Sequence, residues 1–510
     1  MVNRMIKTNL RKTLNKLQGF VFAILVVPIA YFPPSPMVID TTSPASEGIW
    51  DTPVGNPLTN EKTESVEKDK EKLFDGYLAY TVQSGDTLPA IASRFNTTVK
   101  ALSAANPSLE TTQTTMAVGA FIKVPKRPFV SAEIHHLLPD NLYINGTAQI
   151  GFDVDEFIQT QPGWLKTSTA FDGTASRSGA EIIKMAAIDY SVSPRLLLAL
   201  IEYQSAALSQ ADATPEQMSY PMGYQNSRHS SIYNQVMWAA RVLNEGYYNW
   251  RSGEMSYFIH QVDPRQNAAS VAIQNLFARI TLSSEQYELA VSEQGFSKTY
   301  TRLFGDAWQL EQSHLEENLR QPAFKLPFEI GKAWAFTGGP HTSWGGEGGQ
   351  PWAALDFAPP STQFGCVASE EWVTAVASGV IVRSGNGMVT LDLDEDGDER
   401  SGWVVMYFHI DSKDRVAAGT KVNDGDKIGH PSCEGGHATG SHVHIARLYN
   451  GEWMLAYGAL AFDLEGWIAH RGNALYEGSL SRQSQVINAN TNANETTIMR
   501  SEVLLASDVD

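Results

Sequence analysis

The sequence predicts a multidomain α+β chain with three parts. These are a small βααβ module, a mostly α-helical middle and an antiparallel β C-terminal part. Three observations predict it. At 510 residues the chain is too long for one ordinary core. The hydrophobic period changes along it, from a short strand near residue 80, to helical spacing over 130–325, to strand-length alternation beyond 331. The stretches 33–75 and 475–510 are polar and poor in large apolar residues. Apolar content of 43% and charged content of 18% suit a globular chain with disordered ends.

The N-terminus sets the expected compartment. Arg4, Lys7, Arg11, Lys12 and Lys16 precede the apolar run Phe20 to Phe32. That order reads as a signal peptide or signal anchor over 1–32, and so as a secreted or envelope-associated protein. The run is shorter than the roughly 20 residues of a full span. Membrane anchoring through it is therefore one expectation and cleavage the other. Residues 33–77 read as a disordered linker with mixed charge. A net charge of −18 argues against a nucleic-acid partner. The two cysteines, Cys366 and Cys433, form one disulfide or remain two buried thiols.

Residues 78–126 carry the small module. Tyr80-Thr81-Val82 is a strand, and Gly85-Asp86-Thr87 is a turn with a helix cap. Leu88, Ile91, Ala92 and Phe95 have helical spacing, Thr98 caps a second helix, and Ala120 to Pro125 closes the unit. The Tyr-Thr-Val-x-x-Gly-Asp-Thr-Leu opening and the Ala-Asn-Pro exit resemble a LysM domain. The resemblance implies binding to N-acetylglucosamine chains of peptidoglycan or chitin, with contacts at Gly85, Asp86, Thr87, Asn106 and Pro107. The bland reading is that Asp86, Thr87 and Asn106 only cap helices.

Over 130–325 the chain is mostly helical. Ser193-Pro194 starts a helix whose Leu196 to Ile201 are apolar all round, and Ile232 to Leu243 forms another, ending in Asn244-Glu245-Gly246. The stretch Pro194 to Ser205 resembles the catalytic helix of lysozyme-like lytic transglycosylases. In that family a catalytic Glu directly precedes a Ser, and here Gln204 holds the place. An amide cannot act as a general acid. The domain is expected to be lysozyme-like and inactive, with Glu202 two residues away and on another helix face.

The informative segment is 331–470. Alternating runs Val373 to Val382, Met388 to Asp394 and Trp403 to His409 read as strands. His341 lies in Gly-Gly-Pro-His, Asp356 in Ala-Leu-Asp-Phe, and His409 ends a strand. Gly440-Ser441-His442-Val443-His444 then places two imidazoles on one strand face. Two imidazoles, a carboxylate and an open position fit a catalytic zinc site. These pieces, with Ala375 to Ile381 and the turn sequence Gly425-Asp426-Lys427-Ile428-Gly429, occur in the order of the lysostaphin-type (LytM/LasA-like) zinc metallopeptidases and resemble them. The resemblance implies that His341, Asp356 and His444 bind Zn2+ and that His409 and His442 are catalytic. His430 and His437 read as structural. Asp356 follows His341 by fifteen positions, a long spacing with a glycine-rich insert, Trp344 to Gln350, that resembles the LasA-like branch.

Asp392-x-Asp394-x-Asp396-Gly397-Asp398 is spaced like the start of a calcium loop, but its twelfth position is Trp403 rather than Glu. A solvated acidic hairpin tip is the preferred reading. The expected function is zinc-dependent hydrolysis of a stem-peptide or cross-bridge amide in peptidoglycan, anchored by the LysM module. The alternative is a catalytically silent wall binder that activates a separate amidase.

Overall fold

The computed structural model describes residues 73–74, 76–126, 132–258, 261–344, 349–361, 363, 365–491 and 496–501. The N-terminal apolar run and nearly all of the linker lie outside the described residues. Among the described residues, no helix is long and apolar enough to cross a membrane.

The small module is built as its turn chemistry dictates. Strands β1 (Tyr77–Thr81) and β2 (Phe121–Pro125) pair antiparallel around helices α1 (Leu88–Arg94) and α2 (Val99–Ala105). Thr87 and Thr98 cap the two helices, accepting from Ala90 N and Ala101 N. Tyr80, Ile91, Phe95, Leu102 and Ile122 form the core.

The middle is helical: α3 (Gly179–Tyr190), α4 (Pro194–Ser205), α5 (Ile232–Ser252), α6 (Ala268–Ile280) and α7 (Phe296–Phe304). Every residue from Leu196 to Ile201 is fully buried, as an all-round apolar helix requires. Helix α5 runs on past the Asn244-Glu245-Gly246 end read from the sequence. Gly246 is there for proximity. A Cβ on it would lie 2.7 Å from Ala272 Cα in α6, so glycine lets the two helices touch. The helix stops instead at Gly253, whose φ of +79° forms the left-handed cap.

The C-terminal part is a nine-stranded antiparallel sheet among the described residues. Its strands are β3 (Ala333–Thr342), β4 (Trp352–Ala358), β5 (Gly379–Gly385), β6 (Met388–Asp392), β7 (Trp403–Phe408), β8 (Lys421–Val422), β9 (Val443–Tyr449), β10 (Glu452–Trp453) and β14 (Thr497–Met499). The order is β8-β5-β6-β7-β9-β4-β3-β14, with β10 beside β9. Strands β11 (Trp467–Arg471), β12 (Gly478–Arg482) and β13 (Gln485–Asn488) join a second, smaller sheet. The disordered tail expected over 475–510 is therefore corrected for its described part. Its strands are short and polar, and pairing holds them: β14 adds to β3, burying Ile498.

Alternation along the strands explains why they are buried throughout. Val405, Tyr407 and Ile445 enter the core of the β part itself. Val404, Met406, Phe408, Ala446 and Leu448 point the other way, into the core of the helices. The helical part thus packs on the same sheet face as these residues.

A buried charge network ties the parts together. Arg251 of α5 donates to Ser84 O of the small module and pairs with Glu452 at 3.2 Å and Asp140 at 3.4 Å. His314 Nε2 lies 2.5 Å from the same Glu452 oxygen. Burial alone would raise the Glu452 pKa, but Arg251 and His314 hold it below the ordinary 4.5. A depressed folded pKa stabilises above the unfolded value, and that stability is lost as pH falls through the folded value. Glu452→Ala leaves the buried Arg251 with only the longer 3.4 Å pairing to Asp140 and takes the carboxylate from His314. The expected loss is about 3–5 kcal/mol in urea unfolding at pH 7, smaller at acid pH.

Candidate metal centre

Strand register assembles the site. Asp356 on β4 stands directly opposite His444 on β9, and Phe408, the last residue of β7, stands opposite His444 on the other side. His341 comes from the far end of β3, whose register shifts around Gly338. Gly338 is required there: a Cβ would sit 2.5 Å from Asp356 Oδ2. The strand containing His409 ends in a left-handed residue, His409 itself, at φ +62°. A non-glycine residue in that region is uncommon and is found at functional sites.

The three predicted ligands converge. His341 Nε2, His444 Nδ1 and Asp356 Oδ1 are separated by 3.0, 3.2 and 3.3 Å. Zinc bonds of about 2.0–2.1 Å set at tetrahedral angles place donor atoms about 3.3 Å apart. All three residues are buried, and Asp356 Oδ1 has no hydrogen-bond partner. An orphaned buried carboxylate oxygen facing two ring nitrogens is what a missing cation explains. Burial would raise the Asp356 pKa, but His341 and His442 hold it well below the carboxylate range.

The outer contacts select the donor nitrogens. His341 Nδ1 lies 2.8 Å from Gly339 O, which leaves Nε2 as the free donor. His444 Nε2 lies 3.1 Å from Ser343 O, which leaves Nδ1. Such carbonyl partners fix the tautomer of a metal-binding imidazole. The donor set fits zinc.

His409 and His442 are brought to the same point, with ring centroids 4.5 Å apart. His409 Nδ1 is held by Glu434 O at 2.9 Å and His442 Nδ1 by Gly440 O at 2.7 Å, so both turn Nε2 inward. His442 Nε2 is 3.7 Å from Asp356 Oδ1. Burial, then the His442 and His444 charges, push the His409 pKa down to about 3. Cys366 and Cys433 form a disulfide with Cα atoms 5.7 Å apart. It settles the choice left open by the sequence and braces the loop that presents Glu434 O to His409.

Tyr476 was not among the sequence candidates. Its ring stacks on His341 at 4.2 Å and 24°. The signal was an apolar Leu475-Tyr476 pair between two glycines of an otherwise polar tail. His430 is structural, as expected, with Nδ1 against Glu371 O and its ring on Trp372. Residues 345–348 of the glycine-rich insert lie outside the described residues.

The other candidates lie elsewhere. Glu202 is buried, accepts from Leu208 N and Ser209 N, and pairs with Arg302 at 2.7 Å. In the small module Asp86 is spent on Arg94, Tyr80 OH and Gln83 N. Gly85 lies against the Arg251 guanidinium. Thr87 caps α1, and Asn106 bonds Leu102 O and the Lys123 backbone. Pro107 is exposed.

Comparison with known families agrees with this layout. Residues 80–125 match the LysM domain, 136–317 the LasA N-terminal domain and 360–455 peptidase family M23. The last match includes His409, His442 and His444, and the sheet register adds His341 and Asp356 from outside it. In these segments the chain resembles a LysM-bearing metallopeptidase of the lysostaphin type. Protease LasA of Pseudomonas aeruginosa is 26% identical over 350 residues, covering 63% of this chain and 76% of that protein. The beta-lytic metalloendopeptidase of Achromobacter lyticus is 26% identical over 165 residues, covering 31% and 41%. Among solved structures, the deep-sea M23 metalloprotease pseudoalterin is 25% identical, covers 33% of this chain and 96% of its own, and has a TM-score of 0.28. The peptidase is a metalloendopeptidase, and its metal is zinc.

Proposed function

We propose that the peptidase hydrolyses a stem-peptide or cross-bridge amide of bacterial peptidoglycan, outside the cytoplasm. The observation that carries this reading is the convergence of three buried donors on one point with two inward-facing Nε2 atoms beside it. His341, Asp356 and His444 hold the zinc. When bound, zinc supplies a Lewis acid and a water acidified to a pKa of about 7. His409, whose Nδ1 is held by Glu434 O, would be placed to accept a proton from the attacking water at Nε2. His442, the more exposed of the pair, turns its Nε2 toward the place where the oxygen on which charge develops would lie. The proton then passes to the leaving amine.

The LysM module holds the enzyme at the wall, raising the local concentration of an insoluble substrate. Because Asp86, Thr87 and Asn106 spend their side chains within the module, sugar contacts at these turns come from backbone atoms and Pro107. Glu202 does not stand ready as a glycan-cleaving acid in the middle domain. Leu208 N and Ser209 N bond one of its oxygens and Arg302 the other, contacts that favour the ionised carboxylate over a proton-donating acid.

The test is mass spectrometry of purified sacculi after digestion by the full chain. New amino termini, suppressed by a zinc chelator, are expected. Anhydromuramyl or new reducing ends would instead assign the activity to the helical domain. Binding without products would make the protein a wall-binding regulator.

A further inference from the structure

We propose that Asp392, Asp394 and Asp396 form a second metal site, for a hard divalent cation of the calcium class. They lie at the turn between β6 and β7, away from the zinc ligands. Each offers a carboxylate oxygen, and these oxygens lie within 4.8 Å of one another. Three negative charges this close repel strongly unless a cation or a proton intervenes.

Asp392 turns this acidic cluster into a built site. It is fully buried, at 0% exposure. Its Oδ2 accepts Gly397 N at 2.9 Å, and its Oδ1 is buried without a donor. A buried orphan acceptor costs free energy that a bound cation removes. The basic side chains around the turn are engaged elsewhere. Lys421 pairs with Glu395, Arg383 with Glu399 at 2.9 Å, and Arg400 with Asp398 at 2.6 Å. Among the described residues no Lys, Arg or His pairs with Asp392, Asp394 or Asp396.

A proton is the competing neutraliser. Burial and the neighbouring Asp394 and Asp396 push the Asp392 pKa up to about 6. An all-oxygen site with two exposed carboxylates leaves room for water, which suits calcium, with its 6–8 flexible oxygen ligands, better than octahedral magnesium. Trp403 stands where a full calcium loop has its bidentate Glu. The expected dissociation constant is accordingly about 10⁻⁴–10⁻³ M, the range of extracellular modules. The turn also touches the helical part, since Arg400 donates to Gln149 O at 3.1 Å. A filled site would therefore stiffen the junction as well as the hairpin.

The test uses the zinc-loaded full chain, titrated with calcium at pH 7.5 and followed by calorimetry and thermal melting. One site in the stated range and a higher melting temperature are expected, with magnesium at least tenfold weaker. Asp396→Asn should weaken calcium at least tenfold while zinc content and hydrolysis without calcium stay unchanged. His444→Ala should keep calcium binding, which separates this site from the zinc site. Three results would each overturn the proposal. They are no calcium binding by the unaltered chain up to about 10 mM, equal binding by Asp396→Asn, or loss of calcium binding in His444→Ala.

Discussion

His444→Ala should leave the purified chain without stoichiometric zinc and without measurable wall hydrolysis. The imidazole supplies one of three donors, and its Nδ1 sits within 3.3 Å of both others. Removing it leaves a two-donor site and a carboxylate with one buried oxygen unpartnered. The rate should fall on the order of 10³-fold or more, the several kcal/mol that Lewis-acid stabilisation contributes. Metal analysis by mass spectrometry and a turbidity assay on sacculi read both quantities. Zinc retained at one equivalent would show that His444 is not a ligand. Zinc lost with hydrolysis intact would show that the chemistry lies elsewhere in the chain.

His409→Ala and His442→Ala should separate from that variant by keeping their zinc. Neither ring is among the three donors that converge, and each is anchored by its own carbonyl, Glu434 O and Gly440 O. Each substitution should lower kcat by about 10²–10⁴-fold, the range for loss of a positioned acid or base. The double variant should lose less than the product of the two, because the neighbouring rings serve the same transition state. A loss of zinc in either single variant would move that residue into the ligand set. Unchanged kcat in both would leave the proton transfer to other groups.

Much of this site was legible because strand geometry is simple. The i, i+2 spacing of His442 and His444 already put both on one face, and a histidine at a strand end already pointed to a sheet margin. The sequence could not supply register. Nothing in it says that Asp356 lies across from His444, or that Gly338 must lack a side chain to admit that carboxylate. Tyr476 and the strands from 478 onward were hidden for a related reason. Short polar strands have little periodicity of their own, and they form because β3 and their neighbours offer unpaired backbone. Gly246 misled in the opposite sense, since a helix-breaking residue by propensity was retained for a close helix contact. The disulfide was undecided because spacing along the chain says nothing about the distance between Cα atoms.

Among the described residues, Val404, Met406, Ala446 and Leu448 on the sheet share one apolar core with the helices. Catalytic strands and helical middle therefore share one cooperative transition, since neither can lose its structure without exposing the apolar side of the other. A destabilising change in α4 or α5 would be felt as lost zinc affinity, although the donors His341, Asp356 and His444 all stand on the sheet. Freed from its helices, the sheet would present a continuous oily plane to water. In a concentrated solution it would seek another such plane, so aggregation would be the first symptom of separating the two halves.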